Sequence, residues 1–128
     1  MQSRFTPGNT DCFIALGYRA MRRRRAVYEQ VKGAGYPCIN LVSPAGYTAK
    51  SAQMEGNNLI LPGVVIEPGV QLGANNIIWS NATICHDSVI GSHNFIAANV
   101  TLGGHVRVGD TNFIGFSATV LQNVAIGD

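Results

Sequence analysis

The sequence has few charged residues, few cysteines and no long apolar run, and each shortage excludes a class of protein. Charged residues make up 12% of the 128 positions, against about 25% in an average soluble domain. Three cysteines at no metal-ligand spacing exclude a disulfide framework and favour a reducing compartment. No apolar run approaches the roughly 20 residues of a membrane span, and no signal peptide is evident. We therefore expect a cytoplasmic protein without a membrane partner.

Charge is distributed unevenly along the chain. Residues 1–50 carry eight Lys or Arg against Asp11 and Glu29, whereas residues 51–128 carry only Arg107 against five acidic residues. Such asymmetry is typical of two modules with different roles. We predict an N-terminal unit over residues 1–46 and a second domain over residues 47–128.

The second domain is built from a six-residue repeat. An aliphatic residue recurs at every sixth position without interruption, and the fourth residue after each is small or short. The aliphatic positions are Ile60, Ile66, Leu72, Ile78, Ile84, Ile90, Ile96, Leu102, Val108, Ile114, Val120 and Ile126. A helix of 3.6 residues per turn cannot keep such positions on one face. The period instead predicts a solenoid of short strands and turns, in which each repeat is buried against its neighbours.

A longer regularity sets the size of one coil. Asn76, Asn94 and Asn112 are spaced by 18 residues, and so are Ile77, Phe95 and Phe113. Stacked parallel strands lie about 4.8 Å apart, so these residues should form ladders of amides and of rings. We predict three hexads per triangular coil, with the asparagines as turn residues that tolerate left-handed backbone.

The N-terminal unit shows the pattern of a partial βαβ unit. Residues 12–17 and 38–44 are expected to be buried strands, and residues 19–34 a helix that ends at Gly35. The run Arg22–Arg25 points in four directions around such a helix, which favours a solvated face, with phosphate contact as the alternative. No aromatic platform accompanies it, so nucleic acid is not an expected partner.

His86 and Asp87 are the residues whose chemistry stands out. They occupy a turn of hexad Ile84–Val89, and Gly104 lies 18 residues further on, one coil above His86. A histidine suits the role of general base, a carboxylate can hold its tautomer, and a glycine amide can approach a developing oxyanion. The alternative is that His86 is an ordinary surface histidine with no chemical role. Cys85 as a nucleophile is disfavoured, because adjacent residues of a strand face opposite ways.

The hexads, ICHDSVIG followed by LGG, the segment FIALGY and the Lys32–Tyr36 element resemble sugar acetyltransferases of the hexapeptide-repeat group that includes sialic-acid O-acetyltransferases and bacillosamine N-acetyltransferases. The resemblance implies a mainly β fold: a left-handed parallel β-helix, here of about four coils, preceded by a partial βαβ unit. It also implies a homotrimer, acetyl-CoA as a substrate and no metal. Measured against these relatives, we expect the chain to be truncated at both ends.

The resemblance assigns roles to individual residues. His86 would be the general base and Asp87 its acidic assistant. The amide of Gly104 would contact the thioester carbonyl, and the backbone of Phe116 the pantetheine arm. Asn81 lies near the position where the relatives carry an asparagine, so substrate contact is expected there. His105 stacks beside Asp87, where we expect a structural contact or substrate binding, and His93 is expected on the surface.

The resulting hypothesis is an acetyl-CoA-dependent O- or N-acetyltransferase acting on a nucleotide-linked sugar in surface polysaccharide biosynthesis. Two alternatives remain open. The chain could be a non-catalytic β-helix that serves as an assembly or binding module. It could also be a metal-dependent protein similar to the carbonic anhydrases of the same fold, with His86, His93 and His105 as ligands, although their spacing departs from that pattern.

Overall fold

The computed structural model describes residues 4–128, and most of them form one parallel β-solenoid. A 3-10 helix, Tyr18–Ala20, leads into α1, Met21–Gly33. Gly35 follows with φ +86, a left-handed conformation that suits glycine and ends the helix where the sequence predicted. Within residues 4–128, neither helix has the length and hydrophobicity of a membrane span.

Fifteen two-residue strands build three flat walls of five strands each. The first wall contains β1 Leu41–Val42, β4 Leu59–Ile60, β7 Ile77–Ile78, β10 Phe95–Ile96 and β13 Phe113–Ile114. The second wall contains β2 Tyr47–Thr48, β5 Val65–Ile66, β8 Thr83–Ile84, β11 Thr101–Leu102 and β14 Thr119–Val120. The third wall contains β3 Gln53–Met54, β6 Gln71–Leu72, β9 Val89–Ile90, β12 Arg107–Val108 and β15 Ala125–Ile126.

All strand pairs are parallel, and each pair joins residues exactly one coil apart. Phe95 pairs with Ile77 on one side and with Phe113 on the other, which confirms the 18-residue coil. The aliphatic residue of each hexad faces inward, and Ile66, Ile78, Ile84, Ile96 and Leu102 are all fully buried. Burying one such side chain stabilises the fold by about 1.5–3 kcal/mol. The mainly β, parallel β-helix that the hexads predicted is therefore confirmed.

The solenoid has five turns and begins earlier than the sequence indicated, where about four coils were expected. Leu41–Val42, predicted to be part of the second strand of a βαβ unit, pairs with Leu59–Ile60 as the first strand of the first wall. Residues 12–17, predicted to be a strand, contribute only a single parallel bridge between Cys12 and Cys38. The hexad pattern weakens before Ile60, and for this reason the sequence did not predict the coil that begins at Leu41.

Three corners connect the walls. The first corner, after the first wall, contains residues 43–46, 61–64, 79–82, 97–100 and 115–118. The second corner, after the second wall, contains 49–52, 67–70, 85–88, 103–106 and 121–124. The third corner, after the third wall, contains 55–58, 73–76, 91–94 and 109–112. One residue of nearly every turn has positive φ, for example Asn75 (φ 60), Asp87 (φ 59) and His105 (φ 58).

An asparagine ladder fills the third corner, as the spacing predicted, and begins two coils before Asn76, at Asn40, whose side-chain oxygen accepts from the amide of Asn58. The side-chain oxygen of Asn58 accepts from the amide of Asn76, and those of Asn76 and Asn94 accept from the amides of Asn94 and Asn112. Left-handed backbone was predicted at Asn76, Asn94 and Asn112, and that prediction is wrong. The left-handed conformation occurs instead at the residue before each of these three, including Asn75 and His93.

The arginine run is only partly solvated, contrary to the prediction of an exposed helix face. The Arg24 side chain is fully buried and donates to the carbonyl oxygens of Ile14, Leu16 and Asn57. Desolvation lowers the pKa of Arg24 to about 10. Because a buried polar group without partners is costly, these bonds fasten the helix and the segment around Ile14 to the solenoid.

Candidate functional site

The second corner brings together four of the residues singled out in the sequence. His86 and Asp87 share one turn, and Gly104 and His105 occupy the same places in the turn one coil above. The amide of His105 donates to the carbonyl of His86 at 3.0 Å, so the two turns are directly stacked. The side chains of His86, Asp87 and His105 are about half exposed to solvent. The corner is therefore an open site, with a charged group flanked by two imidazoles.

The His86 imidazole is oriented by its neighbour. Its Nδ1 lies 3.0 Å from Oδ2 of Asp87. An ionised carboxylate only accepts hydrogen bonds, so Nδ1 carries the proton and Nε2 is left with a free lone pair. Although the residues are adjacent in sequence, the left-handed backbone of Asp87 brings its carboxylate beside the ring. The turn thus holds His86 in the tautomer that a general base requires.

Gly104 lies against the base nitrogen of His86. A Cβ built on Gly104 would come within 2.6 Å of His86 Nε2 and 2.8 Å of Cε1, so the ring occupies the space a side chain would need. Gly104 is buried, yet its N–H donates to no acceptor anywhere in residues 4–128. The flanking amides of Gly103 and His105 donate to Val120 and His86. A free backbone donor thus sits next to a free base.

His105 completes the corner. Its Nε2 lies 3.9 Å from Oδ2 of Asp87, and its ring meets that of His86 edge to face with centroids 5.2 Å apart. The predicted stacking of His105 on Asp87 is confirmed by this contact. The same oxygen of Asp87, Oδ2, therefore faces both imidazoles.

Glu67 is a residue of this site that the sequence reasoning missed. It lies one coil below Cys85, and its Oε2 accepts from the backbone N–H of His86 at 2.7 Å. Burial, and secondarily the Glu67 carboxylate, raise the pKa of the Cys85 thiol, which disfavours the thiolate. The sequence signal for Glu67 is its position 18 residues before Cys85, because an 18-residue coil stacks these two residues in the same corner.

Asn81 and Phe116 lie at a different corner from His86. Both belong to the first corner, and both side chains are exposed, Phe116 at 65%. The second wall separates the first corner from the second. Within one chain, the structure thus groups His86, Asp87, Gly104 and His105 but leaves Asn81 and Phe116 on the opposite edge of that wall.

His93 is buried in the third corner, contrary to the prediction that it lies on the surface. Its Nδ1 accepts from Nδ2 of Asn75 at 2.9 Å, and its ring packs edge-on against Tyr28. Burial is the main reason that its pKa is lowered. Because His93 and His86 stand at different corners, the three histidines of one chain do not converge into the three-histidine site that the carbonic-anhydrase alternative would require.

Comparison with known families places the chain in a transferase group. The family model described as bacterial transferase hexapeptide (six repeats) matches residues 51–86, 73–104 and 87–122, together more than half of the sequence. The protein belongs to this hexapeptide-repeat transferase family. No curated protein matches the sequence.

Solved structures with a similar fold are sugar acetyltransferases. A mutant of perosamine N-acetyltransferase from Caulobacter crescentus, in complex with CoA and GDP-perosamine, has a TM-score of 0.72 at 16% identity, covering 92% of this chain and 64% of that one. The acetyltransferase domain of PglB from Neisseria gonorrhoeae FA1090, in complex with acetyl coenzyme A, has a TM-score of 0.67 at 23% identity, covering 96% and 62%. The present chain thus spans a little under two thirds of each, and the likeness establishes the shared fold.

Proposed function

We propose that this protein is an acetyl-CoA-dependent acetyltransferase that modifies a hydroxyl or amino group of a sugar. The observation that carries the proposal is the arrangement of the second corner: the free Nε2 of His86 beside the unpaired amide of Gly104, with Asp87 on Nδ1. Acetyl transfer from a thioester needs a base and an oxyanion donor. No covalent enzyme intermediate is required.

The chemistry follows from these positions. His86 Nε2 removes the proton of the sugar O–H or N–H as its oxygen or nitrogen attacks the thioester carbonyl. The Gly104 amide donates to the carbonyl oxygen as negative charge develops there, a contribution of about 3–4 kcal/mol in comparable sites. The tetrahedral intermediate then expels the CoA thiolate, which recovers the proton from the imidazolium of His86. Asp87 stabilises that imidazolium, and His105 contacts the acceptor.

A trimer would supply the residues that one chain leaves apart. The outward positions of the second wall carry no charge: Tyr47, Val65, Thr83, Thr101 and Thr119. A ring of three copies packed along this wall closes with heterologous contacts and buries a flat, uncharged surface. It would bring the first corner of one copy, with Asn81 and Phe116, beside the second corner of the next, where the backbone of Phe116 contacts the pantetheine arm.

The acceptor is a nucleotide-linked sugar of surface polysaccharide synthesis, handled in the cytoplasm. Support comes from the resemblance of the histidine motif to such enzymes and from the similar fold of a perosamine N-acetyltransferase bound to GDP-perosamine. Amino-sugar and hydroxyl-sugar nucleotides would be offered in parallel with acetyl-CoA, and the release of CoA thiol measured. Faster release with one series assigns N- or O-acetylation.

The base is tested by His86→Ala in the same assay. We expect kcat/KM to fall by about 100-fold or more, as is usual when a general base is removed. Arg107→Ala, an exposed change on the third wall, should leave the rate unchanged. A loss of less than about tenfold in the His86 variant would contradict the assignment. A wild-type chain that binds no CoA in calorimetry at millimolar concentration would favour the non-catalytic binding module.

The trimer is tested by mixing two impaired variants, His86→Ala and Asn81→Ala. If each site combines His86 of one copy with Asn81 of the next, random reassembly should restore about a quarter of the wild-type activity. Light scattering on the mixture reports the size of the assembly. No recovery in a mixture shown to exchange subunits would place both residues in the same copy's site.

A further inference from the structure

We propose that the second corner is also a zinc-binding site, formed by Nδ1 of His86, Oδ2 of Asp87 and Nε2 of His105, and that Zn²⁺ bound there inhibits acetyl transfer. The ligand atoms of these three exposed residues all lie within 4.8 Å of one another. Two imidazoles and one carboxylate form a donor set that zinc prefers in proteins. The binding claim is independent of the proposed function, while the inhibition rests on it.

The spacing of the two rings matches a tetrahedral centre. Zinc–nitrogen bonds of about 2.0–2.1 Å at tetrahedral angles place the centroids of two coordinated imidazoles about 5 Å apart. The centroids of His86 and His105 are 5.2 Å apart, and the rings meet at 90°. The Asp87 oxygen already lies 3.0 Å from one ligand nitrogen and 3.9 Å from the other. Small rotations of exposed side chains would therefore complete three bonds, and the fourth position would be open to water.

Inhibition follows from the tautomer of His86. The lone pair used by zinc is on Nδ1, the nitrogen whose proton is donated to Asp87 when the metal is absent. Binding moves that proton to Nε2 through solvent, so the imidazole stays neutral while its two nitrogens exchange roles. Nε2 then becomes a donor and can no longer accept the proton of the sugar. The metal disables the base without covering it, and zinc acts here as an inhibitor rather than a cofactor.

Binding is tested first, because it does not depend on activity. Calorimetric titration of the full chain with Zn²⁺ at constant pH should give one site per chain, with no comparable binding of Mg²⁺ or Ca²⁺, which prefer oxygen ligands. His105→Gln and Asp87→Asn should each weaken Zn²⁺ binding by about tenfold or more. Cys85→Ser is the matched control, since it removes a neighbouring thiol from the same turn, and it should bind Zn²⁺ as the wild type does.

Three outcomes would overturn the zinc site: no saturable binding, wild-type affinity in His105→Gln with the fold intact by circular dichroism, or loss of binding in Cys85→Ser. In the acetyl-transfer assay, Zn²⁺ should inhibit the wild type, and a chelator should restore the rate. His105→Gln should need about tenfold more Zn²⁺ for the same fractional inhibition. Zinc binding in an inactive chain would leave this site standing and refute the proposed function, whereas activity without zinc binding would do the reverse.

Discussion

The second and third corners of the solenoid have the same backbone plan but opposite chemistry. In the third corner, the amides of Ala74, Ser92 and Asp110 donate to side chains one coil above, so the stack is saturated with hydrogen bonds. In the second corner, the amide of Gly104 holds the position equivalent to these three amides and donates to no acceptor within residues 4–128. Gln122, one coil above, accepts no hydrogen bond from it. One corner uses its polar groups for stability, and the other keeps them available for a ligand.

The two histidines of these corners illustrate the difference. His93 is only 9% exposed and is held by Asn75 and Tyr28. His86 is about half exposed and is held on one side only, by Asp87, which leaves Nε2 free. An unpartnered donor beside a free base is a cost to the folded state that binding of a ligand can offset. The contrast thus separates residues that maintain the solenoid from residues whose polar groups are open to a ligand.

Gly104→Ala tests the open corner most strongly. The new methyl group would collide with the His86 ring, displace it from Asp87 and block the amide, so we expect the acetyl-transfer rate to fall by about 100-fold or more. Gly33→Ala in α1 is the matched control, because nothing lies within 4 Å of its added Cβ. A Gly104 variant with more than about a tenth of the wild-type rate would remove this amide from the mechanism.

Asn76→Ala tests the saturated corner. It removes bonds to Asn58 and Gly91 and leaves the amide of Asn94 without its acceptor, so we expect unfolding to become easier by about 3 kcal/mol. Urea unfolding followed by circular dichroism measures the loss. Gln71→Ala, an exposed change on the third wall, should shift the free energy by less than about 0.5 kcal/mol. Equal effects would mean that the ladder adds no stability.

Glu67→Ala tests how firmly the turn that carries the proposed base, His86, must be held. Without the carboxylate, the His86 amide loses its acceptor, and we expect about a tenfold lower kcat with little change in KM. Glu67→Gln should recover most of the rate, since its amide oxygen can still accept. A rate that is unchanged in Glu67→Ala would show that Asp87 alone positions the base.

The smallest effect expected is on the pH dependence of stability. Burial lowers the pKa of His93 in the folded state, so the unfolded chain binds its proton more readily. The stability due to neutral His93 is therefore complete above its unfolded pKa of about 6.5 and is lost as the pH falls below that value. Urea unfolding at several pH values between 8 and 5 should show a shallower decline for His93→Gln than for the wild type. Equal slopes would contradict the burial argument.

Much of this architecture was accessible from periodicity. The hexads identified the inward residues, and the recurrence of Asn76, Asn94 and Asn112 gave the coil length that placed Gly104 above His86. The same periodicity predicted the stacking of His105 on Asp87. Burial of Arg24 and His93 was not accessible, because it depends on where α1 rests against the solenoid. The early coils were not predicted either, because Leu41 pairs with Leu59 in a part of the chain where the six-residue pattern is irregular.

The repeat alone determined that this chain winds into stacked triangular coils, because no other regular structure buries every sixth residue. It also determined which side chains share a corner, since parallel pairing in register translates sequence separation into height. Only the tertiary structure decided which polar groups are satisfied. Hydrogen-bond saturation depends on the rotamer and backbone φ of each neighbour, as at Asp87, Glu67 and Gly104, and on the packing of a helix that no periodicity describes.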